Sequence, residues 1–72
     1  DHMLPDNAAY TWHLRVQGGA YGFRLPLEPV RSEGGETVYR ADNATPAQIS
    51  ELAAEMQARG CRMLLAMKQL AD

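Results

Sequence analysis

Cys61 and His13 are the side chains of this sequence that we consider as a nucleophile and its base. Cys61 stands next to Arg62, and His13 lies early in the chain. Cysteine catalysis needs an imidazole base beside the thiol, in a concave site with further aligned groups. No motif supplies those groups, so we interpret Cys61 as a half-buried, inert side chain and His13 as a solvated residue of a sheet. We predict that the protein is not an enzyme.

Metal ions and phosphate groups are the other ligands that short motifs can indicate. The cysteine and histidine positions do not have the spacing of zinc ligands. Gly18-Gly19 and Gly34-Gly35 lack the Lys-Ser/Thr pair that completes a phosphate-binding loop, and we interpret both as turns. The sequence therefore predicts no cofactor and no metal site.

Arginines on one face of a predicted sheet suggest nucleic-acid binding. Arginine can pair with guanine or phosphate, and tyrosine can stack on an unpaired base. The formal net charge of −2 and a single lysine argue against this function, because dedicated nucleic-acid-binding proteins carry a basic surface. It is our second hypothesis, with the predicted contact residues His13, Arg15, Arg24 and Tyr39.

Length and composition indicate one small folded domain spanning residues 1–72. The chain is 46% hydrophobic and 22% charged, which is typical of a folded protein. Domains this small often need a disulfide, a metal or a second subunit for stability. With one cysteine and no metal motif, self-association is the device that remains. We interpret Asp1-His2-Met3 as a cloning remnant followed by the start methionine.

The cellular location follows from two further features. No apolar run approaches the ~20 residues that span a bilayer, so we predict no membrane association. A single cysteine is consistent with a reducing compartment, and we expect a cytoplasmic protein.

Two segments predict a β-hairpin. Residues 10–16 and 21–27 both alternate apolar and polar side chains, which is the period of a half-buried strand. Gly18-Gly19 between them suits a two-residue turn. With this turn, each apolar residue of the first segment faces an apolar residue of the second, and a slip of one residue would destroy the match.

A third strand is predicted at residues 37–40, after a polar loop at residues 28–36. The strand segment is rich in β-branched and aromatic residues. Its four residues leave open whether Val38 or Tyr39 faces inward. The sheet is thus expected within residues 10–40.

A helical region is predicted at residues 45–71. Thr45 suits the N-cap, Pro46 the first helical position, and Gln48 completes a capping box. At Gly60, either the helix ends and residues 61–67 form a fourth strand, or the helix continues with a kink. Because the apolar stripe is unbroken and residues 61–67 contain no β-branched side chain, we favour a continuous helix.

These elements predict an α+β fold, a three-stranded antiparallel sheet (β-β-β) packed against a long or kinked C-terminal helix. At ~1.5 Å per residue such a helix would be longer than the strands, and its last turns would need another partner. We therefore expect a non-enzymatic protein-interaction or regulatory protein that binds another protein and forms a homodimer through its helix. The predicted protein-binding residues are Met63, Met67 and Leu70.

Overall fold

The structure, a computed structural model, describes residues 8–19 and 21–69. Its elements are β1 (Tyr10–Gln17), β2 (Glu28–Glu33), β3 (Glu36–Ala44), α1 (Pro46–Ala58) and β4 (Arg62–Gln69). The strands form one antiparallel sheet in the order β2-β3-β1-β4. Helix α1 connects β3 to β4, two strands that lie on either side of β1.

This architecture corrects the predicted fold class. The sheet has four strands rather than three, and the helix is short and lies mid-chain rather than at the C-terminus. The predicted helical region at residues 45–71 contains a helix, a turn and a strand instead. Residues 70–72, and the interpretation of residues 1–3 as a cloning remnant, lie outside the described ranges.

The predicted hairpin at Gly18-Gly19 is also wrong. Both sides of β1 are occupied by β3 and β4, and residues 21–27 are not a strand. The hairpin turn is at the other Gly-Gly pair, between β2 and β3. Gly34 and Gly35 have φ values of 61° and 82°, and a type I′ turn requires positive φ at both central residues.

The alternating pattern of residues 21–27 records which side chains face the core, and not which segment pairs with β1. Phe23, Leu25 and Leu27 are partly buried against the core, whereas Tyr21 is 82% exposed. This segment therefore covers the core as an irregular loop. A period of two indicates extended backbone, but it does not identify the hydrogen-bonding partner.

The segment predicted as a polar loop, residues 28–36, contains β2 and the turn. All six residues of β2 are exposed, so no apolar pattern reveals the strand. Pro29 is tolerated because β2 is an edge strand, and the register shifts beside it, between Pro29 and Arg31. The third predicted strand, residues 37–40, lies within β3, where Tyr39 is buried and Val38 lies on the opposite face.

The core lies between α1 and one face of β1 and β3. Trp12 is tied to the end of β3, because its indole Nε1 donates a hydrogen bond to the Ala44 carbonyl oxygen at 2.7 Å. The β1–β3 register shifts at this point, and Asn43 has φ of 58°. The bulge turns the chain towards the helix that follows. The buried residues are Tyr10, Trp12, Leu14, Val16, Tyr39, Ala41, Ala44, Ile49, Leu52, Met56 and Cys61.

The predicted helix start is confirmed. The Thr45 side chain accepts a hydrogen bond from the Gln48 N–H at 3.2 Å, and the Thr45 N–H donates to Gln48 Oε1 at 2.8 Å. This capping box satisfies two N–H groups that have no partner within the helix.

The predicted continuation of the helix through Gly60 is wrong, because the helix ends in a Schellman motif. The Cys61 N–H donates to the Met56 carbonyl oxygen at 3.0 Å, and the Gly60 N–H donates to Gln57 at 3.3 Å. Gly60 has φ of 88°, which a residue with a Cβ adopts at a cost. The chain therefore leaves α1 at this point and enters β4.

Arg59, the C-cap residue, holds the loop over the core. Its guanidinium lies 4.4 Å from the centroid of the Phe23 ring. It also donates hydrogen bonds to the carbonyl oxygens of Gly22 at 3.3 Å and Tyr21 at 3.4 Å, and it contacts Glu55 at 3.8 Å. One side chain thus connects the end of α1 to the loop that follows β1.

The substitution Gly60→Ala distinguishes a continuous helix from a helix that ends at Gly60, because the change in stability has the opposite sign in the two cases. In a continuous helix the change would stabilise the protein by about 1 kcal/mol. At the observed positive φ we expect a loss of about 1 kcal/mol, which would lower the melting temperature by about 4–8 °C. Thermal and urea unfolding measure the change. The control Gly19→Ala, where φ is not positive, should be neutral or slightly stabilising.

Removing the Arg59 side chain should loosen the loop. We expect Arg59→Ala to lower the free energy of unfolding by about 1 kcal/mol, since a half-exposed cation–π contact and two long hydrogen bonds are lost. Amide hydrogen exchange should speed up at residues 21–23. The matched control Arg31→Ala, at an exposed position of β2, should leave both quantities unchanged.

Candidate functional site

The predicted nucleic-acid contacts do not share one surface. His13 and Arg15 lie on the outer face, which is the face of the sheet opposite α1. Arg24 lies in the loop and lines a cleft of about 490 Å³ together with Glu51 and Glu55 of α1. Tyr39 belongs to the core and is 8% exposed. The structure therefore brings together two of the four residues.

The arginines of the outer face lie among carboxylates. Arg15 contacts Glu36 at 3.8 Å. Arg40 contacts Glu28 and, at 3.4 Å, Asp42. These ion pairs are exposed, so each contributes little to stability. Their effect on recognition is larger, because the adjacent negative charges lower the positive potential that a phosphate backbone would meet.

Cys61 and His13 do not form a catalytic pair. Cys61 is 6% exposed in the core, whereas His13 lies on the outer face, so the sheet lies between them. Within residues 8–19 and 21–69, no group of three or more His, Cys, Asp or Glu side chains is placed to hold a metal ion.

The predicted protein-binding residues are separated as well, and the dimer helix to which they were assigned is a strand. Met63 is partly buried against the core, opposite Val16. Met67 is 55% exposed on the outer face, opposite His13. Leu70 lies outside the described residues. A dimer through a C-terminal helix is therefore not available to this fold.

The most exposed apolar part of the sheet is on β4. Leu64, Leu65 and Met67 are 39%, 48% and 55% exposed, and we call these three residues the β4 surface. β4 is an edge strand, and none of the other described strands pairs with its edge that points away from β1. This side of the strand carries backbone N–H and C=O groups that a further strand could pair with.

The opposite edge of the sheet, β2, is protected in ways that β4 is not. β2 contains a proline and three charged side chains, both of which discourage pairing with another chain, and its register is irregular, as is that of β4. β4 has a register shift near its start, between the partners of Arg15 and Val16, but residues 63–67 carry no charge and no proline. The charged residues of β2 are Glu28, Arg31 and Glu33.

Across the outer face, the side chains change from charged to apolar. In one row, Arg31 of β2 lies opposite Val38, followed by Arg15 and then Leu65. The neighbouring row runs from Glu28 through Arg40 and His13 to Met67. Both rows end in an exposed apolar residue on β4, at the edge with which no strand of residues 8–19 and 21–69 pairs.

Sequence reasoning missed Leu65 and the edge on which it lies. The signal that could have found them is the uncharged run of residues 63–67, which begins three residues after the glycine that ends the helix. Because residues 63–67 were predicted to be helical, their side chains were expected on different sides of a helix. Their concentration on one strand was therefore not recognised.

Comparisons with known proteins were made for the chain. A scan against models of protein families, a search of curated proteins and a search of solved structures each returned no match. Within residues 8–19 and 21–69, no helix is long and apolar enough to cross a membrane.

A pair of identical substitutions compares the core with the β4 surface. Leu14 is 0% exposed, and Leu14→Ala should cost about 2–5 kcal/mol of unfolding free energy. Leu65→Ala removes the same atoms from a half-exposed position and should cost less than about 1 kcal/mol in dilute protein. Urea unfolding at about 1 µM protein, where association is minimal, measures both. Equal losses would show that Leu65 serves the fold.

Proposed function

We propose that this protein is a small, non-enzymatic protein-binding module that takes an extended segment of polypeptide alongside β4. The observation that carries the proposal is the edge of β4 that points away from β1, with which no described strand pairs and beside which three apolar side chains are exposed. An exposed sheet edge can accept one more strand, with main-chain hydrogen bonds supplying affinity.

The two faces of β4 supply specificity. Leu65 and Met67 project on the outer face, so a bound segment would place apolar side chains beside them. On the other face Lys68 is held near the core, with its Nζ 5.1 Å from the Tyr10 ring centroid and 5.9 Å from that of Trp12. The preferred ligand is therefore an uncharged, extended segment with apolar residues at alternate positions.

A regulatory role in the cytoplasm is part of this proposal. A module that binds a polypeptide segment without catalysing a reaction acts by bringing protein chains together or by blocking access to the bound segment. The lone Cys61 is compatible with a reducing compartment. Binding of nucleic acid stays the second hypothesis, and it has weaker support because Arg15 and Arg40 lie beside carboxylates.

Selection of peptides from a random display library tests the proposal. We expect selected sequences with alternating apolar residues. Amide NMR titration of the labelled protein with such a peptide should move signals of Met63–Met67 and of β1, and should protect β4 amides from hydrogen exchange. Leu65→Lys should weaken binding at least tenfold, while Val30→Lys on the other edge, at the same 48% exposure, should not.

Two results would contradict strand addition at β4. One is peptides that bind with their shifts centred on the loop at residues 21–27 or on α1. The other is a response limited to a DNA duplex or single-stranded RNA, with shifts at His13 and Arg15 that weaken as salt is raised.

A further inference from the structure

We propose that the segment bound by β4 is β4 of a second copy, so that two chains join into one continuous antiparallel sheet. This inference rests on the proposed function, because it names the partner of the same edge. The two-fold axis would be perpendicular to the sheet and would pass between the two copies of Ala66.

The difference between the two edges supports a partner at β4. Edge strands invite pairing, and natural proteins protect those that must stay free. Here β2 carries a proline and three charged side chains, whereas residues 63–67 of β4 carry neither a proline nor a charge. A two-fold dimer covers both β4 edges at once and leaves only the protected β2 strands at its ends, so it closes rather than growing into a fibre.

Symmetry restricts the possible registers. Antiparallel strands related by a two-fold axis perpendicular to the sheet keep the same faces on the same side, so both helices cover one face of the joined sheet. Directly opposed residues must therefore come from the same face of β4. This condition requires the axis to lie between two copies of one residue.

The register with the axis between the two copies of Ala66 pairs exposed apolar residues of the β4 surface with each other. It places Leu65 of each copy opposite Met67 of the other, which gives two apolar cross-strand pairs on the outer face. Ala66 lies opposite its own copy on the other face, where its small side chain allows close approach. The exposed apolar ends of the outer-face rows of the two copies thus meet at the axis.

Neighbouring registers are less favourable. An axis at Leu65 would set Met63, which faces the core, opposite Met67, which faces outward, and no Leu65–Met67 pair would form. With the axis at Ala66, the register shift beside Leu64 sets only Met63 opposite Gln69, at the end of the paired segment. An axis at Met67 would place Leu65 opposite Gln69 and lose both apolar pairs. An axis at Lys68 would oppose two like charges, which is destabilising.

The concentration dependence of the mass tests the dimer. One strand per copy makes a small interface, below about 1,200 Å², so we expect a Kd of about 10–100 µM. Sedimentation equilibrium from about 2 µM to about 1 mM should follow the change from monomer to dimer. Leu65→Lys should raise the Kd at least tenfold, because it puts a charge beside Met67 of the other copy. The control Val30→Lys should leave it unchanged.

Disulfide cross-linking tests the register. Opposed Cα atoms in an antiparallel pair are about 4.5–5.5 Å apart, within the range of a disulfide. With oxidised glutathione as oxidant, Ala66→Cys should give a covalent dimer, because the two new thiols face each other across the axis. The control Ala54→Cys, at an exposed position of α1, should not, and Cys61 is buried in both variants. Circular dichroism checks that each variant folds. If Leu65→Lys does not fold, Met67→Lys replaces it in the sedimentation experiment.

Different results would contradict the homodimer and strand addition at β4. A chain that stays monomeric at about 1 mM, or a dimer unaffected by both Leu65→Lys and Met67→Lys, overturns the homodimer. If selected peptides still bind β4 of that monomer, strand addition stands and the partner is another protein. If the monomer already protects the β4 amides from exchange and binds no peptide, another segment covers the edge and both proposals are wrong.

Discussion

The structure depends on the burial of one face of β1. Leu14 and Val16 are completely buried, and every element except β2, which pairs only with β3, covers them or pairs with their strand. β3 and β4 occupy the two sides of β1, α1 lies over its apolar face, and the loop at residues 21–27 covers the remainder. A chain of 72 residues has few apolar side chains to bury, so its longest alternating strand is placed at the centre.

The end of the helix determines where the exposed edge lies. Because Gly60 turns the chain at the Schellman motif, residues 62–69 return to the sheet and pair with β1. Their placement at an edge leaves one side of β4 without a partner among the described strands and exposes Leu65 and Met67. In a continuous helix the same apolar residues would have formed a stripe along one face. Part of this stripe would have packed on the sheet, and the part beyond the end of the sheet would have been exposed. One glycine conformation thus decides whether this segment offers a helical surface or a strand edge for recognition.

The candidate site shows why prediction was partial. The alternation of β1 and the position of Thr45 were predicted correctly, since each depends on neighbours within a few residues. Met67 was predicted as a protein-binding residue on a helix, and the structure places it on a strand, where its neighbours are different. Tyr39 could not be oriented from four residues, and its burial became visible when its pairing with Leu14 was known.

By itself, the sequence determined the class of the fold as α+β, the inward face of β1 and the start of the helix at its capping box. These features depend on local backbone preferences and on side-chain periodicity, which short segments express without knowledge of the rest. The tertiary structure decided which Gly-Gly pair forms the hairpin, which segments lie beside β1, and that residues 62–69 form a strand. Strand pairing joins residues far apart in the chain, and its free energy depends on the whole set of contacts in the sheet rather than on any one segment.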